Sequence, residues 1–397
     1  RKFAKENNLQ DRTFINSCAV TNKTIADLKT EIRKLKKNDP DNKIILTGCA
    51  AQIHKDEFVA MNEIDSIIGN KEKLVSKTYK EIKESNDRIN KVGDIFEHGQ
   101  AISPIIKKVE NRIRGFVQIQ NGCDHRCTFC IIPYGRGDSR SVEPENVVNQ
   151  INTLLDQGYK EIVLTGVDLT SYGHDLESKP NLATLVSHIL FSIPNLKRLR
   201  LSSLDVAEID KNLMDLIKYE KRILPHIHLS LQAGDNMILK RMKRRHLRDD
   251  AISVINEIRS VRSEVVFGAD IIAGFPTEND EMFQNTVDLI EDCNITFLHI
   301  FPFSPREGTP AARMPQVDRY IIKKRAKILR EIGKKKLLEY YDELKNKKIN
   351  VIVEDKGRGR SDTFAKVQID NNLDNGQIVK MIVTGRNQVG LTGNIVV

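Results

Sequence analysis

Apolar and polar positions alternate along this chain in two registers. Ile25, Leu28, Ile32 and Leu35 recur at helical spacing with Lys29, Arg33, Lys34 and Lys36 between them, which predicts an amphipathic helix. Short apolar runs flank it: Thr13–Asn16 ahead of Cys18, Lys43–Thr47 running into Gly48 and Cys49, and Ser66–Gly69. This βα rhythm predicts a parallel α/β domain of about a hundred residues. Both of its cysteines fall just past the C-terminal ends of strands, the edge where open α/β sheets build their sites. Lys83 to Gln100 is polar and irregular and reads as a linker.

A second series begins near Arg114. Its predicted strands are Gly115–Gln120, Glu161–Thr165, Arg198–Ser202, His226–Leu231, Val265–Ile272 and Thr296–Phe301. Helical patterns lie between them, at Val142–Gln157, Leu182–Phe191, Ile209–Tyr219, Asp249–Arg262 and Asp280–Cys293. Six strand–helix units predict a complete or partial β/α barrel, whose strand ends carry Gly, Ser, Asp and Gln as active-site faces do. Pro302 to Pro315 is a proline-rich loop and Tyr320 to Leu344 a long basic helix. Beyond it, Ile349–Glu354, Phe364–Ile369, Gln377–Thr384 and Leu391–Val396 alternate with period two between Gly and Asn turns, which predicts a small all-β module. The fold class is therefore α/β, in three parts: 1–98, 99–340 and 341–397.

Composition narrows the function classes. The 397 residues are 40% hydrophobic and 29% charged, which excludes a collagen, a long coiled coil and a disordered chain. No run approaches the ~20 apolar residues of a membrane helix. Arg1 to Asp11 is polar, without the pattern of a signal peptide, so a cytoplasmic location is expected. The formal net charge is +9, and the excess is banded. Residues 319–348 hold twelve Lys/Arg against four Asp/Glu, and Lys240 to Arg248 holds six basic residues in nine. Such bands point to a polyanionic partner, with a solvated helix face as the alternative.

The six cysteines are Cys18, Cys49, Cys123, Cys127, Cys130 and Cys293. In a chain of this size without a signal peptide they favour metal or redox chemistry over a disulfide scaffold. Cys123, Cys127 and Cys130 stand in a C-x3-C-x2-C spacing on a loop that follows a predicted strand. Three thiolates on such a loop suit three irons of a [4Fe–4S] cube and leave the fourth iron open to a small ligand. A structural zinc ion is the alternative, but it wants four ligands, and the one nearby extra donor, His125, lies inside the loop. Cys293 closes a helix and reads as a buried small hydrophobe.

At these residues the chain resembles the radical S-adenosylmethionine (SAM) superfamily. The string from Gln118 through Cys123 to Cys130, Pro133, Tyr134, Gly135, Arg136 and Gly137 resembles its methylthiotransferase branch. Asn16-Ser17-Cys18-Ala19-Val20-Thr21 and Thr47-Gly48-Cys49-Ala50-Ala51-Gln52 look most like the subfamily acting on N6-threonylcarbamoyladenosine in tRNA. The resemblance implies an N-terminal auxiliary-cluster domain, a radical SAM barrel and a C-terminal TRAM-like module. It implies that Cys123, Cys127 and Cys130 hold a [4Fe–4S] cluster that cleaves SAM to a 5′-deoxyadenosyl radical. The radical takes hydrogen from C2 of the modified adenosine at position 37 of the anticodon loop, and a second SAM supplies the methyl group. Cys18 and Cys49 are implied ligands of a second [4Fe–4S] cluster. The family's third cysteine there would fall before Arg1, so truncation of the chain is expected. Phe129, Gly166, Asp168, Ser202, Ser230, Gln232 and Gly274 are the expected SAM contacts, Gly274 by letting backbone approach the adenine. Ser203 and His228 stand near them, and Arg136 and Arg140 are candidates to neutralise the cluster or reach phosphate. Expected partners are tRNA, an external electron donor and a sulfur donor. The competing readings are an isopentenyladenosine methylthiotransferase, an enzyme acting on a ribosomal protein, and a non-catalytic iron–sulfur RNA-binding protein.

Overall fold

The computed structural model describes residues 2–85, 87–97, 112–355, 357–369, 373–388 and 390–396. The boundary expected at 98/99 lies outside them. Two compact units emerge, and neither is continuous in sequence. The first draws on Arg1–Pro104, Asn121–Arg140 and Ser304–Arg313; the second on Ile105–Gln120, Ser141–Phe303 and Met314–Val397.

In the first unit four parallel strands form one sheet, in the order Arg12–Ser17, Lys43–Gly48, Ser66–Ile68, Ile89–Lys91. The predicted amphipathic helix runs Asn22–Asn38, capped by the Thr21 side chain on the Thr24 amide, with Ile25 and Ile32 buried on the sheet. The reading of Lys83–Gln100 as linker needs correction. Ile89–Lys91 pairs with Ser66–Ile68, and Arg88 ties its start to the carbonyls of Phe58, Val59 and Met61. Three residues without strong apolar alternation carry little local signal, and backbone pairing places them instead.

In the second unit Arg114–Gln118, Glu161–Thr165 and Leu199–Leu201 form one parallel sheet, and His226–Gln232, Val266–Ala273 and Phe297–Pro302 another. Isolated bridges Leu199↔Ile223 and Leu204↔Leu229 link the two. The result is a six-stranded β/α arc, and among the described residues no pairing joins its last strand to its first. Five strands between Lys348 and Val396 close into a barrel. Its core includes Val351, Val367, Met381 and Leu391 together with Tyr341 and Leu344 from the end of the long helix Arg319–Glu343. The strand Arg358–Ser361, absent from the sequence expectation, completes that barrel.

The turn that follows this strand seats on the arc. Arg198 and Arg200, both nearly inaccessible, share the wholly buried Glu161 at 3.0 Å and 2.6 Å. Nη1 of each arginine reaches Asp362, and Arg200 Nη2 donates to the Ser361 carbonyl at 3.1 Å. Phe364, at φ +72°, lays its ring on His226 at 4.8 Å with the Arg360 guanidinium 4.2 Å away. A cluster of buried charges holds only while every member is paired. Replacing Glu161 by Ala leaves two buried guanidiniums facing each other, and we expect a loss of about 3–5 kcal/mol in urea unfolding; a change under about 1 kcal/mol would show that the cluster is solvated.

Candidate functional site

Cys18 and Cys49 are brought together by strand register. Arg12–Ser17 and Lys43–Gly48 run parallel with Ser17 opposite Gly48, so each cysteine stands one residue beyond a matched strand end. Gly48 is required there. Its φ is +100°, and a Cβ would lie 2.3 Å from the Ser17 carbonyl oxygen. Ser17 fixes the turn further, donating to the Thr47 carbonyl at 2.6 Å and accepting from the Ala51 amide at 3.1 Å. Cys49 then opens the short helix Cys49–Ile53.

The loop carrying Cys123, Cys127 and Cys130 belongs to the same unit. Gly122, at φ +78°, lies so close to the Asp138 carbonyl that a Cβ would clash at 1.8 Å. The Cys123 amide donates to the Gly137 carbonyl at 3.1 Å and the Cys130 amide to the Cys127 carbonyl at 3.0 Å. Asp124 accepts from the Ser139 amide at 2.8 Å, and Arg126 binds the Cys123 carbonyl at 2.6 Å and Asp138 at 2.8 Å. The Ala311 amide, on the Ser304–Arg313 segment, donates to the Thr128 carbonyl at 2.9 Å. Backbone and flanking side chains thus hold this loop's shape. The three thiols are half-buried and outside any disulfide, as is the neighbouring Phe129 ring half-buried. Soft thiolates in a set of three on one loop fit an iron–sulfur cube.

The two cysteine groups meet through the helix Ile132–Arg136 that follows the loop. Gly135 packs so closely on Cys49 that a Cβ would stand 3.1 Å from the Cys49 Cβ and 3.4 Å from its Sγ. Asn70 donates to the Gly135 carbonyl at 2.6 Å. Arg136 Nε donates to Cys49 Sγ at 3.0 Å. Burial, with the Arg136 cation nearby, pushes the Lys73 ammonium down to about 8. Cys18 has its own cation: Arg306 is buried, bonds Asn22 and His54, and is lowered by that burial while the Cys18 sulfur works the other way. Each cysteine of this pair therefore has a guanidinium at hand to offset the negative charge of a thiolate. Arg140 bonds the Arg136 carbonyl at 2.7 Å. Cys293, in the second unit, is buried, and its thiol is pushed up to about 11 by desolvation, as befits an inert core residue.

The remaining expected residues lie in the second unit, at strand ends. Gly166 has no room for a side chain because Gln120, fully buried, would stand 2.9 Å from its Cβ. That Gln120 oxygen accepts from the Val167 and Asp168 amides, both at 2.9 Å. Asp168 accepts from the Ser171 hydroxyl at 2.7 Å and precedes the short helical turn Leu169–Ser171. Ser202 Oγ is buried without a hydrogen-bond partner among the described residues, while Ser203 and Ser230 bond each other at 2.6 Å. Gln232 sits at φ +69°, just after a register shift, a conformation that non-glycine residues adopt mainly where function or packing enforces it. At Gly274, φ +72°, the missing side chain makes space for Ile322, 2.5 Å from a Cβ built there. Three arginines of the basic band Lys240–Arg248 pair with carboxylates, while Lys240 and Lys243 are exposed: Arg244 and Arg245 bind Asp205, Arg245 also Glu208, and Arg248 Asp292.

Two residues that sequence reasoning missed stand beside His228. Asp270 Oδ1 is 3.0 Å from His228 Nε2 and 3.2 Å from His299 Nδ1. Asp270 is a lone acid in an otherwise apolar strand, a signal that was readable, but its link to His299 needs the register.

Comparison with known proteins follows this geometry. The model of the radical SAM superfamily matches residues 117–290, and that of the uncharacterized protein family UPF0004 matches residues 2–69. The chain is 47% identical over 385 residues to a threonylcarbamoyladenosine tRNA methylthiotransferase of Rickettsia prowazekii, covering 97% of this chain and 90% of that protein. It is 32% identical to a tRNA-2-methylthio-N(6)-dimethylallyladenosine synthase of Neorickettsia sennetsu, covering 94% of this chain and 82% of the other. Among solved structures it resembles TsrM of Kitasatospora setae, a radical SAM methyltransferase, with TM-score 0.55 at 17% identity over 75% of this chain and 63% of that one. The last likeness is one of fold.

The Asp270 network has a pH signature. His228 and His299 hold the Asp270 carboxyl below its ordinary range despite burial, and the bond to Asp270 raises His299. A lowered carboxyl stabilises the fold above its ordinary value near 4, and a raised imidazole stabilises it below its ordinary value near 6.5. The contribution is thus fully present between about pH 4 and 6.5 and fades as pH rises through the raised value of His299. Thermal midpoints of wild type and Asp270→Asn should therefore differ most near pH 6 and converge toward alkaline pH; a gap independent of pH would contradict the pairing.

Proposed function

The chain belongs to the threonylcarbamoyladenosine tRNA methylthiotransferase family of the radical SAM superfamily, and from that premise we propose that it methylthiolates C2 of N6-threonylcarbamoyladenosine at position 37 of tRNA. The observation that carries this reading is the gathering of both cysteine groups into one unit by Gly135 and Arg136. Cys123, Cys127 and Cys130 are the proposed holders of a [4Fe–4S] cluster. When bound, that group supplies the electron for reductive cleavage of SAM, a reaction that an unactivated aromatic C–H demands and protein side chains cannot perform.

The chain's own residues bind and orient. Cys18 and Cys49 are the proposed protein ligands of a second cluster on the sulfur-delivering side, with Arg136 and Arg306 offsetting its charge. Phe129, Gly166, Asp168, Ser202, Ser230, Gln232 and Gly274 are the proposed SAM contacts. Gln120 fixes the Gly166–Asp168 turn for that purpose. The paired Ser203 and Ser230 hydroxyls offer donor and acceptor to a polar ligand. Gly274 and Gly166 owe their identity to Ile322 and Gln120, so any ligand contact there is through backbone.

The division of labour proposed is auxiliary cluster in 1–98, SAM chemistry in 99–340 and a TRAM-like module in 341–397. RNA binding is supported by the long helix, where Lys323, Lys324, Arg330 and Lys334 are exposed. It is supported also by Tyr134, 45% exposed, edge-on to Phe96, which lies under Arg126. Aromatic and guanidinium surfaces of this kind stack the splayed bases of single-stranded loops. Electron and sulfur donors are further proposed partners.

Nucleoside mass spectrometry tests the reading. Cells lacking the gene should lose 2-methylthio-N6-threonylcarbamoyladenosine from tRNA, and the full-length gene should restore it while Cys18→Ala and Cys123→Ala alleles do not. Loss of the isopentenyl nucleoside instead would keep the chemistry and overturn the substrate; no change in any tRNA nucleoside would overturn both.

A further inference from the structure

The His228–Asp270–His299 network lies on three adjacent parallel strands, His226–Gln232, Val266–Ala273 and Phe297–Pro302, with Asp270 directly opposite His299. Strand alternation puts His226, His228 and Ser230 on one face, and Gly268, opposite His228, and Asp270 continue that face on the next strand. Gly268 is part of the arrangement, because a Cβ there would stand 2.7 Å from His228 Nδ1. The rings of His228 and His299 lie 4.9 Å apart. One layer along the strands toward their N-terminal ends, His226, Phe297 and Phe364 close the face with stacked and edge-on rings. Exposure rises across the network, from 12% at the His228 side chain to 27% at Asp270 and 61% at His299. His299 is thus the end that meets a ligand, and its Nδ1 is already committed to Asp270.

A carboxylate that orients an imidazole through one nitrogen leaves the other N–H directed away from it, and the protonated ring is then a fixed donor for an anion. Other cations of this part of the arc spend their charge internally: Arg198 and Arg200 on Glu161, Arg244 on Asp205, Arg245 on Asp205 and Glu208. The proposed substrate carries an anion of its own, the carboxylate that ends its N6-threonylcarbamoyl group, whereas an N6-isopentenyl group carries none. We propose that His299, oriented by Asp270 and through it by His228, recognises that carboxylate and so selects this nucleoside over adenosines with neutral N6 substituents. The inference rests on the function proposed above. His299 is the binding residue; Asp270 and His228 are positioning residues.

The test uses full-length, cluster-reconstituted enzyme and two anticodon stem-loop RNAs. One carries N6-threonylcarbamoyladenosine, and the other is identical except that the threonyl carboxylate is a carboxamide. A hydrogen bond between charged groups is worth about 1.5–3 kcal/mol, so wild type should bind the acid roughly 10- to 100-fold more tightly than the amide. His299→Ala should bring that ratio to near one, and Asp270→Asn should lower it. His299→Lys, which restores a cation on a half-exposed position, should recover part of it. An unchanged ratio in His299→Ala, or a ratio near one in wild type, would overturn the proposal. So would a ratio abolished by EDTA, since two imidazoles and a carboxylate could then be holding a metal ion that makes the contact. Failure of the underlying reading looks different: wild type would methylthiolate the isopentenyl RNA and neither bind nor modify the acid, which overturns both.

Discussion

The joining of the two cysteine groups in the first unit depends on the seating of Gly135 against Cys49. A helix of five residues has little stability of its own. Ile132–Arg136 stays in place because Asn70 holds its carbonyl, its glycine lets backbone meet a cysteine side chain, and Arg136 spends a donor on the sulfur. The chain on its N-terminal side is the Cys123–Cys130 loop, so the same contact anchors one cysteine group to the other. Gly48 and Gly122 serve this arrangement from either side. Each lets backbone approach backbone where a Cβ would collide, and each sits next to a cysteine. The Ser304–Arg313 segment adds a second brace, with Arg306 on Asn22 and His54 and Ala311 on the cysteine loop.

The second unit separates stability from chemistry along its strands. At their N-terminal ends Glu161, Arg198, Arg200, His226 and Phe364 form a paired and stacked seal, and burial keeps His226 neutral there. The small C-terminal barrel contributes Asp362 and Phe364 to that seal. Removing the barrel therefore strips partners from buried charges, and loss of RNA binding on such a deletion does not by itself identify a binding surface. Toward the C-terminal ends the residues change to hydroxyls, amides and the half-exposed His–Asp–His network. This is the division of roles expected of a β/α arc.

Much of this was legible in the sequence. Periodicity alone located the helix Asn22–Asn38 and the strands Lys43–Gly48, Glu161–Thr165 and His226–Gln232, because each has a long apolar signal. Ile89–Lys91 and Arg358–Ser361 were not legible: they are short and polar, and cross-strand pairing defines them. Spacing marked the cysteine triplet, yet only the register of Ser17 against Gly48 joins Cys18 to Cys49. Glycine was the least readable residue. Gly274 and Gly166 suggest ligand approach in sequence, while Ile322 and Gln120 supply the local reason for both. Charge was similarly ambiguous. The Lys240–Arg248 band looks like a phosphate surface, but Arg244, Arg245 and Arg248 neutralise Asp205, Glu208 and Asp292, which leaves Lys240 and Lys243 exposed.

The central claim is that one contact makes a single assembly of the two cysteine groups. Iron and sulfide quantification with Mössbauer spectroscopy on anaerobically reconstituted full-length protein tests it most directly, comparing wild type, Cys18→Ala/Cys49→Ala and Gly135→Val. The valine collides with Cys49 and Ile53 while every proposed ligand keeps its thiol. The account predicts that Gly135→Val loses the iron lost by the double cysteine variant. Full wild-type iron content and an unchanged spectrum in Gly135→Val would contradict it.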